Sequence, residues 1–201
     1  MRILRPISED EMIGVFLRAE LGSGRYGEKL RGLLNRDGRD LDVLRRPDLD
    51  DSAANGYRRG LFDEHRAYER RDDLFGGFPQ RISWFRAVLS RDEVLEILYI
   101  NWDWWLRISD GTRRPRDAAR RIMDGLVPGS TAEEHEPLAA ALRRNPRPPE
   151  LIVATTPAHL PLVLVEGHFR LTAYALFPDY VPDELEVLLG VSDEMPEWCQ
   201  F

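Results

Sequence analysis

Lysine is all but missing from this chain: Lys29 is the single one among 28 basic residues, the rest being arginine. Arginine suits planar phosphate forks, but a GC-rich genome produces the same bias, so the imbalance carries no functional weight. Cysteine is nearly absent too. Cys199 stands alone, which excludes an internal disulfide and fits a reducing compartment; it reads as incidental to its segment rather than as a reactive thiol. No stretch approaches the roughly 20 apolar residues that a membrane helix needs. Met1-Arg2-Ile3-Leu4-Arg5-Pro6 is basic but leads into no apolar run or small-residue cleavage site, so no signal peptide and a cytoplasmic location are expected. The histidines His65 and His135 are isolated, and no Cys/His spacing resembles a zinc site, so no transition metal is expected. A basic surplus is lacking as well. The net charge is −7 and the pI about 5.2, whereas duplex binders draw most of their affinity from phosphate neutralisation. That balance counts against nucleic acid without removing it.

What is present describes a folded protein. Hydrophobic residues make up 43% of 201 residues and mean hydropathy is −0.42, enough for a core that needs no disulfide or metal staple. There is no internal repeat and no low-complexity tract. From Ser8 to Asp73 the pattern is helical. Ser8 and Glu11 are spaced as a capping box, followed by Met12, Val15, Phe16 and Ala19 at helical spacing. Gly22-Ser23-Gly24 ends that helix, Tyr26 to Leu34 forms a second, and a charged third is expected from about Ala54 to Arg70, with Tyr57, Leu61, Phe62, His65 and Tyr68 as its stripe. Gly76-Gly77-Phe78-Pro79 is the clearest boundary, predicting a helical segment over 1–76 and a second domain over 77–201.

Beyond that boundary the texture changes. Ile82 to Leu89 reads as a strand, and Ser90-Arg91-Asp92-Glu93 caps a helix bearing Val94, Leu95, Leu98 and Tyr99. A tryptophan-rich stretch from Asn101 to Ile108 follows, then a turn at Ser109-Asp110-Gly111-Thr112 and a helix from Asp117 to Leu126. Gly129 to Pro149 is a polar connector with a short helix at Pro137 to Arg143. Leu151 to Ala154 and Leu162 to Val165 are strands joined by a tight connection, His168 to Phe177 is a helix, and Glu184 to Val191 a last strand.

The chemistry concentrates at Glu166-Gly167-His168-Phe169-Arg170. A buried strand meets a glycine and a helix starts at once. Unpaired backbone N–H groups and the helix dipole attract anions at such a start, and Gly167 lets a ligand come close to the chain. Arg170 in the first turn is unfavourable for the helix itself, a cost that a phosphate or carboxylate at the site would offset. Glu166 and His168 can serve as metal ligand, general base or phosphate donor. The blander account is a strand–helix junction with solvated charges.

Glu166-Gly167-His168-Phe169-Arg170-Leu171-Thr172-Ala173 resembles the G-x-x-R-x-x-A box of the ParB/sulfiredoxin superfamily. That group includes CTP-binding partition proteins with their ParB-like nuclease domain, ATP-using sulfiredoxins and free-serine kinases. The acidic-Gly-His-His-Arg form of the kinases is the nearest. Asp117 to Ile122 and Leu151 to Ala154 are similar to the family's short helix and first strand, so the resemblance spans roughly residues 82–191. It implies a small mixed sheet with a ParB/sulfiredoxin-like core; with the helical segment before it, which the resemblance does not cover, expected as an N-terminal cap, the fold reads as α/β (α+β). The resemblance also implies ATP, ADP or CTP as the nucleotide, phosphates held by Gly167, His168, Arg170 and Thr172, and Glu166 positioning Mg²⁺ or a substrate hydroxyl, so that Glu166, His168 and Arg170 carry catalysis. His168 stands where sulfiredoxins have their cysteine, which argues against sulfinic-acid reduction. Phe169 replaces one of the paired arginines of the partition proteins and the second histidine of the kinases, and no helix-turn-helix reader follows the box.

Other residues invite a role beside a duller one. Ser109 and Thr112 could touch a ligand from the opposite wall of a cleft, or simply cap a helix. Trp102, Trp104 and Trp105 could form a platform for a base or pack a core. Thr155 and Thr156 could donate hydroxyls to phosphate or just turn a hairpin, and His159 sits in that same turn. Glu20 and Arg25, beside Gly22 and Gly24, could close over the site from the N-terminal segment. The resulting expectation is a nucleotide-dependent phosphotransferase or ATPase-type enzyme acting on a small molecule, with room for a homodimer and no membrane partner. The alternative is a non-catalytic nucleotide-sensing or DNA-binding module of ParB-like kind, with Arg113, Arg114, Arg116, Arg120 and Arg121 as its basic stripe.

Overall fold

The computed structural model describes residues 1–145 and 148–201; Pro146 and Arg147, in the expected connector, lie outside the described residues. Two compact units are present, one spanning Ile7–Phe78 and the other joining Met1–Pro6 to Pro79–Phe201. Each has its own core.

The Ile7–Phe78 unit is helical. Helix α1 (Glu9–Leu21) begins at Ser8, whose side chain accepts from the Glu11 N–H, and stops at Gly22. It packs on α4 (Ser52–Arg66), with α2 (Gly27–Arg36) and the single-turn α3 (Asp42–Arg45) alongside. Helix α4 starts two residues before the expected Ala54, because the Asp51 carboxylate caps the N–H groups of Ala53 and Ala54. It ends at Arg66 instead of Arg70, where Ala67 turns left-handed at φ 55°. Tyr68 therefore lies beyond the helix, yet stays in the core by stacking on Phe62 at 4.6 Å, in a cluster with Phe16, Phe75 and Phe78. The buried Arg58 guanidinium ties the intervening loop together through the carbonyls of Val43 and Asp48 and the side chain of Asn55.

The other unit is built on a five-stranded mixed sheet, in the order β1 (Arg2–Ile7), β2 (Ser83–Ser90), β5 (Glu184–Val191), β3 (Leu151–Thr155), β4 (Val163–Glu166). Strand β5 runs antiparallel to β2 and parallel to β3, while β3 and β4 form an antiparallel hairpin with a register shift between Ile152 and Val153. Alternate residues on one face, among them Ala87, Leu89, Leu151, Val153, Leu164, Leu185, Val187 and Leu189, enter one core cluster with Leu171 and Tyr174. The class is thus mixed α/β, with nine helices among the described residues.

Several elements differ from the sequence expectation, each for a local reason. Strand β1 falls within the stretch 1–76 expected to be helical. It is exposed almost throughout, without alternation, and an edge position tolerates its Pro6. Helix α5 (Arg91–Leu95) has the Ser90/Glu93 capping box but stops early. Leu98 and Tyr99 instead run as extended chain, Leu98 exchanging hydrogen bonds with Leu162 and Leu164 along the edge of β4. After α6 (Asp103–Ile108), helix α7 (Pro115–Met123) starts at Pro115, whose missing N–H costs nothing at a first helical position. Helix α8 (Ala132–Arg144) begins five residues before the expected Pro137, at a Thr131/Glu134 capping box. Helix α9 (His168–Leu176) packs on α7 and α8.

Candidate functional site

The β4–Gly167–α9 junction forms as its sequence suggests. Gly167 adopts φ 108° and caps α9 with no side-chain hydrogen bond, a backbone conformation that L side chains rarely take. A Cβ there would lie 2.5 Å from Leu151 Cδ2 and 3.0 Å from Arg170 Nη2. Both the dihedral and the crowding require glycine. The helix thus begins, at the positive end of its dipole, without the side-chain acceptor that Ser, Thr or Asp would bring.

Arg170 is nine-tenths buried, and its Nη2 donates to Glu166 Oε1 at 3.1 Å. The cation that looked costly in the first turn is therefore already compensated inside the chain, by a carboxylate four residues earlier. His168 is half-buried and stacks on Trp105, with centroids 4.7 Å apart; Trp105 in turn stacks on Tyr99 at 4.6 Å. Among the three clustered tryptophans, then, Trp105 supports the box from the side, whereas Trp102 is 43% exposed.

The hydroxyls expected to meet phosphate have protein partners. Thr172 is buried, donating to the His168 carbonyl at 2.9 Å and sharing a hydrogen bond with the Tyr99 hydroxyl at 2.7 Å. Burial pushes the Tyr99 phenol up, so that hydroxyl stays protonated. Ser109 is fully buried, its Oγ donating to the Trp105 carbonyl and accepting from the Arg113 N–H. The Thr112 hydroxyl joins the Ser109 carbonyl to the Asp117 carboxylate. Thr155 and Thr156 close the hairpin through the carbonyls of Pro161 and Leu160. In each case a short hydroxyl residue bonds to a backbone carbonyl close in sequence.

Four of the five arginines of the basic stripe are engaged within the chain. Arg116 pairs with Glu96, Arg120 with Asp117 and Arg121 with Asp110, while Arg113 spends its guanidinium on the carbonyls of Tyr99, Gln200 and Phe201. Burial lowers the Arg113 pKa. In the helical unit, Glu20 meets buried His65 at 2.7 Å rather than Arg25, whose guanidinium lies over the Tyr26 ring. Among the described residues, no three His, Cys, Asp or Glu side chains converge as a metal cluster, and no helix is long and apolar enough to cross a membrane.

One contact at the junction was invisible in sequence. Phe169, in the first turn of α9, is 54% exposed and packs one face on the buried ring of His135 from α8, with centroids 4.1 Å apart. His135 Nε2 lies 3.2 Å from Ser130 Oγ, and its Nδ1 has no partner among the described residues. Burial lowers the His135 pKa, the charge of Glu134 opposing the shift. With 33 residues between them, only a knowledge of how α8 and α9 pack could have joined the two rings. Comparison of the chain with protein-family models, with curated proteins and with solved structures found no match.

Proposed function

We propose that the β4–Gly167–α9 junction binds the phosphates of a nucleotide, and that the protein is a nucleotide-dependent phosphotransferase or ATPase-type enzyme acting on a small molecule. The observation that carries this reading is the start of α9: a glycine that admits no Cβ, a helix with no side-chain cap, and a buried guanidinium in the first turn. First-turn N–H groups offer positively polarised donors to a ligand, and Arg170 a guanidinium in the same turn. Phosphoryl transfer demands mainly such positioning and charge stabilisation. The likeness of Glu166 to Ala173 to the ParB/sulfiredoxin box points the same way.

On this reading Arg170 exchanges its partner, giving up Glu166 for a phosphate oxygen. Glu166 would then hold Mg²⁺, its carboxylate being an oxygen ligand that suits this small hard cation, or would orient the acceptor hydroxyl. When bound, Mg²⁺ supplies charge neutralisation on the phosphates. His168, fixed in its plane by Trp105, presents its ring beside the same helix start. The engagement of Glu166 by Arg170 also suits the alternative, a module that senses a nucleotide without turning it over.

The test is a thermal-shift panel of ATP, ADP, CTP and GTP, with and without Mg²⁺, on the wild type and Arg170→Ala. A ligand that binds only the folded state raises the midpoint by mass action. A shift seen in the wild type and lost in Arg170→Ala is expected; no shift with any nucleotide would overturn the assignment.

A further inference from the structure

We infer that the exposed face of Phe169, backed by His135, is the platform on which the base of the nucleotide stacks, so that the ligand class is a nucleoside phosphate rather than a free phosphate or a phosphorylated non-aromatic compound. The inference rests on the phosphate site proposed above and adds to it a determinant of specificity. Three observations carry it. Phe169 leaves 54% of its surface open although its neighbours on either side, His168 and Arg170, are half-buried and buried. Its ring is not loose, because one face lies 4.1 Å from the ring of His135, tilted by 32°. His135 is itself 2% exposed, with an imidazole nitrogen, Nδ1, that finds no partner among the described residues.

An aromatic ring fixed on one side and bare on the other is what base stacking requires, since every base offers a π face and none of the specificity need come from hydrogen bonds. Its position supplies the rest. Phe169 lies in the very turn whose N–H groups would take the phosphates, so one ligand can place anion and base on adjacent residues of a single helix start. The charges agree with this division. Phosphate meets the dipole and Arg170, while the uncharged base meets an apolar ring supported by an imidazole that burial keeps neutral. A phosphosugar or inorganic phosphate would leave the Phe169 face uncovered.

Calorimetric titration of the full chain with inorganic tripolyphosphate, ATP and CTP separates this inference from the one beneath it. The wild type is expected to bind the nucleotides more tightly than tripolyphosphate. Phe169→Ala should weaken ATP and CTP roughly ten-fold or more, the usual loss when a stacking ring is removed, with tripolyphosphate unchanged. Phe169→Trp should retain nucleotide affinity, and Phe169→Leu, which keeps apolar packing on His135 without a π face, should behave like Phe169→Ala. Equal binding of tripolyphosphate and nucleotide by the wild type, or equal weakening of both by Phe169→Ala, would overturn the platform while leaving the phosphate site standing. Failure of all three ligands to bind the wild type would remove both.

Discussion

At the scale of single residues, the junction turns on what Gly167 does not have. Its φ of 108° and the 2.5 Å approach of Leu151 Cδ2 to a built Cβ leave no relaxed position for a side chain. Gly167→Ala is therefore expected to destabilise this unit by about 1–3 kcal/mol, the usual cost of a non-glycine residue held in a sparsely populated backbone region. Chemical denaturation checks it, and an unchanged midpoint would mean that the hairpin end relaxes freely. Arg170 shows how neighbours redefine a residue. In sequence it is an unfavourable cation in a first turn that calls for an anion; in the structure Glu166 is that anion, 3.1 Å away. The same spacing is readable along the chain, but four residues across a strand end, a glycine and a helix start give no dependable distance until the turn is known.

At the scale of elements, α8 and α9 meet through His135 and Phe169, and the contact has a consequence in pH. Burial lowers the pKa of His135 in the folded chain, whereas in the unfolded chain it titrates at about 6.5. Between those two values the unfolded state binds a proton that the folded state does not. This contribution to stability is full above about pH 6.5 and is lost as the pH falls toward the lowered folded value. Urea midpoints measured at stepped pH should fall through that window in the wild type and fall less in His135→Asn; parallel curves would show that His135 does not drive the loss. Legibility at this scale followed local signals. The strands β2, β3, β4 and β5 and helix α9 lay within a residue or two of their expected bounds, because their apolar runs end at glycine, proline or a capping serine. Strand β1 carries no such signal, because edge pairing needs no buried face. At α8, Pro137 looks like a boundary, while the Thr131/Glu134 box that begins the helix lies upstream.

At the scale of the whole molecule, charge argues against duplex DNA. The net charge is −7, and four of the five arginines in the candidate basic stripe are spent on carboxylates or carbonyls. Gel shifts on duplex DNA near physiological ionic strength, about 0.15 M, should show no retention. A complex that strengthens steeply as salt is lowered would instead reveal phosphate neutralisation by that stripe.

By itself the sequence determined the mixed α/β class and the strand–glycine–helix succession at Glu166 to Arg170, because hydrophobic period, glycine and capping residues act within a few positions of where they stand. Only the tertiary structure decided which side chains at that junction already have partners. It spent the hydroxyls of Ser109, Thr112 and Thr172 on backbone and neighbouring side chains, turned Arg170 toward Glu166, and brought His135 under Phe169. The reason is physical. A buried polar group takes whatever acceptor packing places within about 3 Å, and which groups packing brings that close is set by how strands and helices from distant parts of the chain lie against one another.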